Sequence, residues 1–236
     1  MTNCILGTQN GKADKALFKR VQSRVWEFIE RTTGIQTISQ MHGLVDLIHE
    51  FGIVPKDQIL PAAKYKDIFN EELMALVNLR LAKLAAGELN ISDFTLKGAV
   101  PFLRALQGAG LRLYLVSGTD EEDVKREADC LGYADVFSGG IYGSIGHVAK
   151  DAKKIVLERI LNDVDGAFDQ LIVFGDGPVE IREAKRRGAV AIGVASDELR
   201  RFGMNLEKRR RLIRAGADAL VPDFSQWQRL WGLLQK

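Results

Sequence analysis

The chain has 236 residues, 46% apolar and 27% charged, with 33 Lys and Arg against 31 Asp and Glu for a net charge of +2, which is room for one large domain or a core with a smaller insertion, able to bury its interior without staples. Balanced charge excludes attraction to nucleic acid or membrane by net charge alone, and no apolar run reaches the length of a membrane span. Cys4 and Cys130 are the two cysteines, too few for a disulfide framework or metal cluster; with no charged-then-apolar export signal at the start, a reducing, cytoplasmic setting is expected.

Residues 13–92 carry helical patterns only. Leu17, Val21, Val25, Phe28 and Ile29 recur at three- and four-residue steps, which predicts an amphipathic helix ending near Gly34. Met41, Leu44, Val45, Ile48 and Phe51 mark a second helix, punctuated by Gly52. A third covers residues 65–84, with Leu73, Leu76, Val77 and Leu84 on one side, before Gly87 opens a loop.

From about residue 97 the pattern alternates. A helix over 99–108 precedes the strand-like run Leu113, Tyr114, Leu115, Val116. Thr119 and Glu122 have capping-box spacing, so a helix should run on to Leu131. Residues 135–137 and 141–142 are short strand candidates, and 152–161 a helix. Residues 171–174 form a strong strand, 179–187 a helix, and 189–194 and 219–221 two further strands. Strands alternating with helices imply a doubly wound, mostly parallel α/β sheet covered on both faces. Ligands of such sheets sit outside the carboxyl ends of the strands, so the residues there carry the functional argument.

Ser117, Gly118 and Thr119 follow the first strong strand. A small hydroxyl, a glycine and a new helix N-terminus suit an anion; an ordinary strand-to-helix turn capped by Thr119 uses the same residues. Asp176 ends the 171–174 strand between Gly175 and Gly177, with Glu180 in the first turn of the next helix. Two such carboxylates can hold Mg2+, which takes oxygen ligands and keeps several waters; alternatively Asp176 makes the turn and Glu180 complements the helix dipole. Lys150, Lys153 and Lys154 surround a helix start, where a lysine opposes the dipole. One of them can neutralise a phosphate, or all can belong to a solvated basic helix end.

The order of these motifs resembles the haloacid dehalogenase (HAD) superfamily over residues 97–236: strand-Ser-Gly-Thr, then Ala-Lys-Lys-Ile-Val-Leu, then Val-Phe-Gly-Asp-Gly-Pro-Val-Glu-Ile. The resemblance implies a HAD-like core over 93–236, a helical cap over 13–92, and residues 1–12 as the remnant of a first strand and turn. It implies a Mg2+-dependent phosphomonoester hydrolase for a small phosphorylated metabolite. Ser117 would hydrogen-bond the phosphoryl group, with Gly118 and Thr119 beside it. Lys153 would be the phosphate-neutralising lysine, with Lys150 and Lys154 its competitors. Asp176 and Glu180 would be the metal acids.

One motif departs from the pattern. The family's nucleophile is an aspartate in Asp-x-Asp-x-Thr ending the first strand, which forms an aspartyl-phosphate. The nearest segment here is Cys4, Ile5, Leu6, Gly7, Thr8, with neither acid. Residues 3–6 are expected to form a short strand between the 113–116 and 171–174 strands, and the chain to bind phosphate weakly with little turnover. A catalytically inactive phosphate-binding or interaction module is the alternative. No nucleic-acid or membrane partner is implied, and the oligomeric state stays open. Elsewhere, Lys208, Arg209, Arg210 and Arg211 read as a solvated helix face. Trp26, Trp227 and Trp231 read as packing residues, and Cys130 as an inert, helix-buried thiol. His42, His49 and His147 read as surface or core histidines.

Overall fold

In the computed structural model, which describes residues 1–9, 14–32, 35–144, 158, 160 and 170–235, the stepped apolar residues near the N-terminus close into helices. They are α1 (Thr2–Leu6), α2 (Lys15–Thr32), α3 (Thr37–Phe51) and α4 (Ala62–Ala85). Asp14 starts α2, its Oδ1 accepting the Leu17 N–H at 2.6 Å, a side-chain cap for an otherwise orphaned donor. Gly52 ends α3 at φ 62° with its N–H on the Ile48 carbonyl, a left-handed cap that costs glycine nothing. Val21, Val25 and Phe28 of α2 share a buried cluster with Met41, Leu44 and Ile48 of α3. A Cβ on Gly43 would stand 2.4 Å from the Phe28 ring, so the missing side chain is what lets the ring lie against α3. Among the described residues this helical unit runs to Asn78, and a second unit begins at Leu79, inside α4.

Residues 3–6 are not a strand. They lie in α1, which packs against α2 and α3, and Ile5 and Leu6 are fully buried. Two adjacent large apolar residues suit a helix end enclosed by two other helices. An isolated four-residue strand has no such enclosure. The α4 pattern also resolves differently: the helix forms, but Leu76 is 59% exposed, and only Ala62, Tyr65 and Lys66 of α4 are buried.

The second unit has the parallel-strand α/β architecture that the sequence predicts. It contains α5 (Ala99–Gly108), β1 (Tyr114–Asp120), α6 (Glu121–Cys130), β2 (Gly140–Ser144), β3 (Ile172–Gly175), α7 (Pro178–Arg186), β4 (Val190–Val194), α8 (Leu206–Ala215), β5 (Ala219–Val221) and α9 (Trp227–Leu234). Among the described residues every pair of these strands is parallel, and their pairing runs in two pieces, β1-β2 and β3-β4-β5. β4 is central in its sheet and buries four of its five residues. Ile181 of α7 and Leu212 of α8 pack with Ala191 of β4 in one apolar cluster. A second cluster joins α5 to the 222–225 loop, with Phe102 stacked on Phe224 at 5.2 Å and edge-on to Phe174 at 5.6 Å. The strand candidate 135–137 is not a strand: Ala134–Val136 form one 3-10 turn, with Phe137 following it. Cys130 is exposed, not buried, and Trp26 is 60% exposed rather than packed, whereas Trp227 and Trp231 pack onto the Phe102 cluster.

Candidate functional site

β1 extends four residues beyond the apolar run, to Asp120. Its register with β2 breaks between Val116 and Asp120, where three residues of β1 face the single Gly143 between Tyr142 and Ser144. The three are Ser117, Gly118 and Thr119, two more than their partner strand has there, so they bulge from the ladder. The Ser117 Oγ accepts the Thr119 N–H at 3.1 Å, and the Ser144 hydroxyl donates to the Gly118 carbonyl at 3.2 Å. A Cβ on Gly143 would meet Glu121 N and Cα within 2.6 Å; only glycine lets β2 pass this turn so closely. The expected capping box at Thr119 is corrected: Asp120 is the N-cap of α6 and makes no side-chain cap bond. The strand takes Thr119 because the bulge delays the helix start.

β3 ends at Gly175, and α7 starts after Gly177 with Pro178 at its first position, where a missing N–H costs nothing. Between them stands Asp176. Glu180 Oε1 accepts the Gly177 N–H at 2.9 Å, so this acid turns back over its own helix start. Asp176 is held from another element. Lys208, in the first turn of α8, donates to Asp176 Oδ2 at 2.9 Å and pairs with Glu198 Oε1 at 2.7 Å. The Lys208 side chain is only 5% exposed, while those of Asp176 and Glu198 are 55% and 74% exposed. Burial opposes the ammonium charge, but the Glu198 hydrogen bond and the Asp176 charge outweigh it and hold the lysine above its ordinary value.

Lys208 corrects the solvated-face reading of residues 208–211. The signal was available: Asn205 is an N-cap whose Oδ1 accepts the Lys208 N–H, and a lysine three residues into a helix opposes the dipole unless carboxylates answer it.

Whether these residues suit a divalent cation turns on Asp176. Its Oδ2 is bound to an ammonium, and its Oδ1 takes no hydrogen bond among the described residues. One open carboxylate oxygen is an adequate anchor for Mg2+, which keeps most of its waters, though the lysine charge opposes it. Among the described residues no group of three or more His, Cys, Asp and Glu could hold a metal. Lys150, Lys153, Lys154, His147 and nearly all of the expected 152–161 helix lie outside the described residues.

A cavity of about 1030 Å3 lies in the second unit, and its lining includes residues 112–116 and 170–174 together with Phe102 of α5 and Trp231 of α9. Its lining includes Val116, immediately before Ser117, and Glu180, in the turn after Asp176. Of the expected site residues among the described ones, Glu180 lines it, and Ser117, Gly118, Thr119 and Asp176 do not.

The haloacid dehalogenase-like hydrolase family matches residues 6–188. Among solved structures, the chain is similar to a haloacid dehalogenase-like family hydrolase from Streptococcus pneumoniae, with TM-score 0.53 and 16% identity over 88% of this chain and 80% of that one. It is similar to a hydrolase from Pseudomonas syringae, with TM-score 0.58 and 17% identity over 88% and 83%. It is also similar to a β-phosphoglucomutase from Clostridium difficile, with TM-score 0.51 and 17% identity over 85% and 76%. No curated protein matches. At these identities the structural likenesses speak for the fold. No described helix is long and apolar enough to cross a membrane.

Proposed function

Because the chain belongs to the haloacid dehalogenase-like hydrolase family, we propose that it is a Mg2+-dependent phosphomonoester hydrolase acting on a small phosphorylated metabolite in the cytoplasm. The carrying observation is that Val116 and Glu180, neighbours of Ser117 and Asp176, line the same opening. The likeness to a β-phosphoglucomutase supports a site that handles phosphoryl groups. Ser117 would donate its hydroxyl to a phosphoryl oxygen, with Gly118 and Thr119 framing the bulge. Lys153 would neutralise phosphate charge, with Lys150 and Lys154 in competition. Asp176 and Glu180 would hold Mg2+, which when bound polarises a phosphoryl oxygen as a Lewis acid. Lys208 fixes Asp176 in orientation through its hydrogen bond to Oδ2.

An aspartyl-phosphate needs a carboxylate nucleophile on a strand, and Cys4 and Leu6 sit in helix α1 instead. That observation favours a second reading, a phosphate-binding module without turnover. The deciding experiment pairs orthovanadate binding with hydrolysis of p-nitrophenyl phosphate, each with and without Mg2+, for the native chain, Asp176→Ala and Lys153→Met. Mg2+-dependent hydrolysis lost in Asp176→Ala upholds the hydrolase. Mg2+-dependent vanadate binding without turnover, abolished by Lys153→Met, upholds the binding module. Absence of both overturns the phosphate site.

A further inference from the structure

One closed loop delivers both Glu198 and Lys208 to Asp176. β3 and β4 are adjacent and parallel, with Gly175 opposite Gly193, so the chain leaving β4 starts at the same end of the sheet as Asp176. That chain returns on itself. The Asn205 N–H donates to the Ala195 carbonyl at 2.7 Å, and Ser196 forms an antiparallel bridge with Met204. At the tip, Asp197 Oδ1 accepts the Leu199 and Arg200 N–H groups, an aspartate-stabilised turn that holds Glu198 in place. Asn205 then caps α8, and Lys208 follows in its first turn. The Lys208 side chain is almost enclosed, whereas those of Asp176 and Glu198 are exposed. The cation is the shielded member of this trio, and the two acids are the members that solutes reach.

We infer that Lys208 is a tethered competitor for the cation position at Asp176 and that Glu198 is its alternate partner: when a divalent cation binds Asp176, the ammonium releases Asp176 and stays on Glu198. This rests on the reading of Asp176 as a metal acid. An ammonium has three donors and no acceptor, and here it engages two different carboxylates. It can release one and keep a counter-charge, whereas a buried lysine with a single acid would be left as an uncompensated charge. Formal charge points the same way. Asp176 and Lys208 alone sum to zero, so a cation approaching them meets no net attraction. Glu198 brings the trio to −1, and a divalent cation is then drawn in. The bond lengths fit the exchange, since the Glu198 contact at 2.7 Å is shorter than the Asp176 contact at 2.9 Å. Lys208 and Glu198 are thus positioning residues, which act through Asp176 and set how readily it takes a metal.

The test is a double-mutant cycle in the full chain: native, Lys208→Met, Glu198→Gln and the double variant, each titrated with Mn2+ by electron paramagnetic resonance, with Asp176→Asn locating the site. The titrations are run at about 0.3 M KCl, where exposed charges are screened from one another. Lys208→Met should tighten Mn2+ binding at least threefold. Glu198→Gln should weaken it at least threefold, because the ammonium then has only Asp176 to pair with. In the Lys208→Met background the same Glu198→Gln change should alter affinity less than twofold. An equal penalty in both backgrounds would make Glu198 a direct metal ligand and overturn the exchange, as would Mn2+ affinities unchanged by Lys208→Met. Should Lys208→Met fail to fold, Lys208→Gln takes its place in the cycle with the same expected signs. Mn2+ binding that survives Asp176→Asn, or no saturable binding even without the ammonium, would instead overturn the reading of Asp176 as a metal acid, and the exchange with it.

Discussion

The two sheets of the α/β unit use similar residues to different ends. The apolar residues of β4 lie between β3 and β5, with α7 and α8 packed on them, and are almost wholly buried. Those of β1 have, among the described residues, one neighbouring strand and stay half-buried. Equal hydrophobicity therefore does not give equal contribution. Pairing on both edges decides how much apolar area leaves the water, at roughly 25 cal/mol per Å2.

Truncation should expose this difference most strongly. Ile192→Ala in β4, where Ile192 is 2% exposed, should cost about 2–5 kcal/mol. Leu115→Ala in β1, half-buried beside the cavity, should cost ~1 kcal/mol, because less area is lost and no closed cavity forms. Urea denaturation of both variants measures the gap, and equal losses would break the comparison. Hydrogen exchange sharpens it: β4 amides should exchange only by global unfolding, whereas β1 amides on the cavity edge should open locally and exchange much faster.

The next effect lies between β3 and α8. Lys208→Met keeps the apolar stem and removes the ammonium shared by Asp176 and Glu198. A loss of about 1–2 kcal/mol is expected, held down because both carboxylates return to water. The folded lysine is raised above its unfolded value near ~10.4. Its contribution is therefore fully present below that pH and fades as pH rises through the folded value. Thermal melts of the native chain and the variant should differ by a constant amount from pH 6 to 9 and converge in stronger alkali. Divalent-cation binding at Asp176 should tighten in the same variant, read by Mn2+ titration.

Asp218→Asn should have the smallest effect. Asp218 accepts the Ala191 N–H at 2.8 Å and the Lys185 ammonium at 2.6 Å, and these bonds, the backbone one foremost, lower its carboxyl. The side chain is 38% exposed, so screening leaves roughly 0.5 kcal/mol. That contribution is present above the unfolded value near ~3.9 and is lost as pH falls through the depressed folded value. Native and variant melting temperatures should differ near neutrality and coincide in acid.

The sequence by itself determined the elements and their class. Three- and four-residue steps marked α2 and α3, continuous apolar runs marked β3 and β4, and alternation of strand with helix determined the parallel α/β architecture, because these patterns depend on neighbours within one element. It also located Asp176 at a strand end and Glu180 one turn into a helix. Tertiary structure decided the rest. Cys4, Ile5 and Leu6 read as a strand from their apolar run, and enclosure by α2 and α3 makes them helix instead. Lys208 shares a basic run with three arginines, and only the approach of α8 to the β3 end separates it from them, since its partners lie 32 and 10 residues away. The pairing of the described strands in two pieces was equally illegible. A strand's apolar run records that its faces are to be covered, but its hydrogen-bonding edges belong to the backbone, which is the same in every residue and carries no sequence signal of which neighbour will pair.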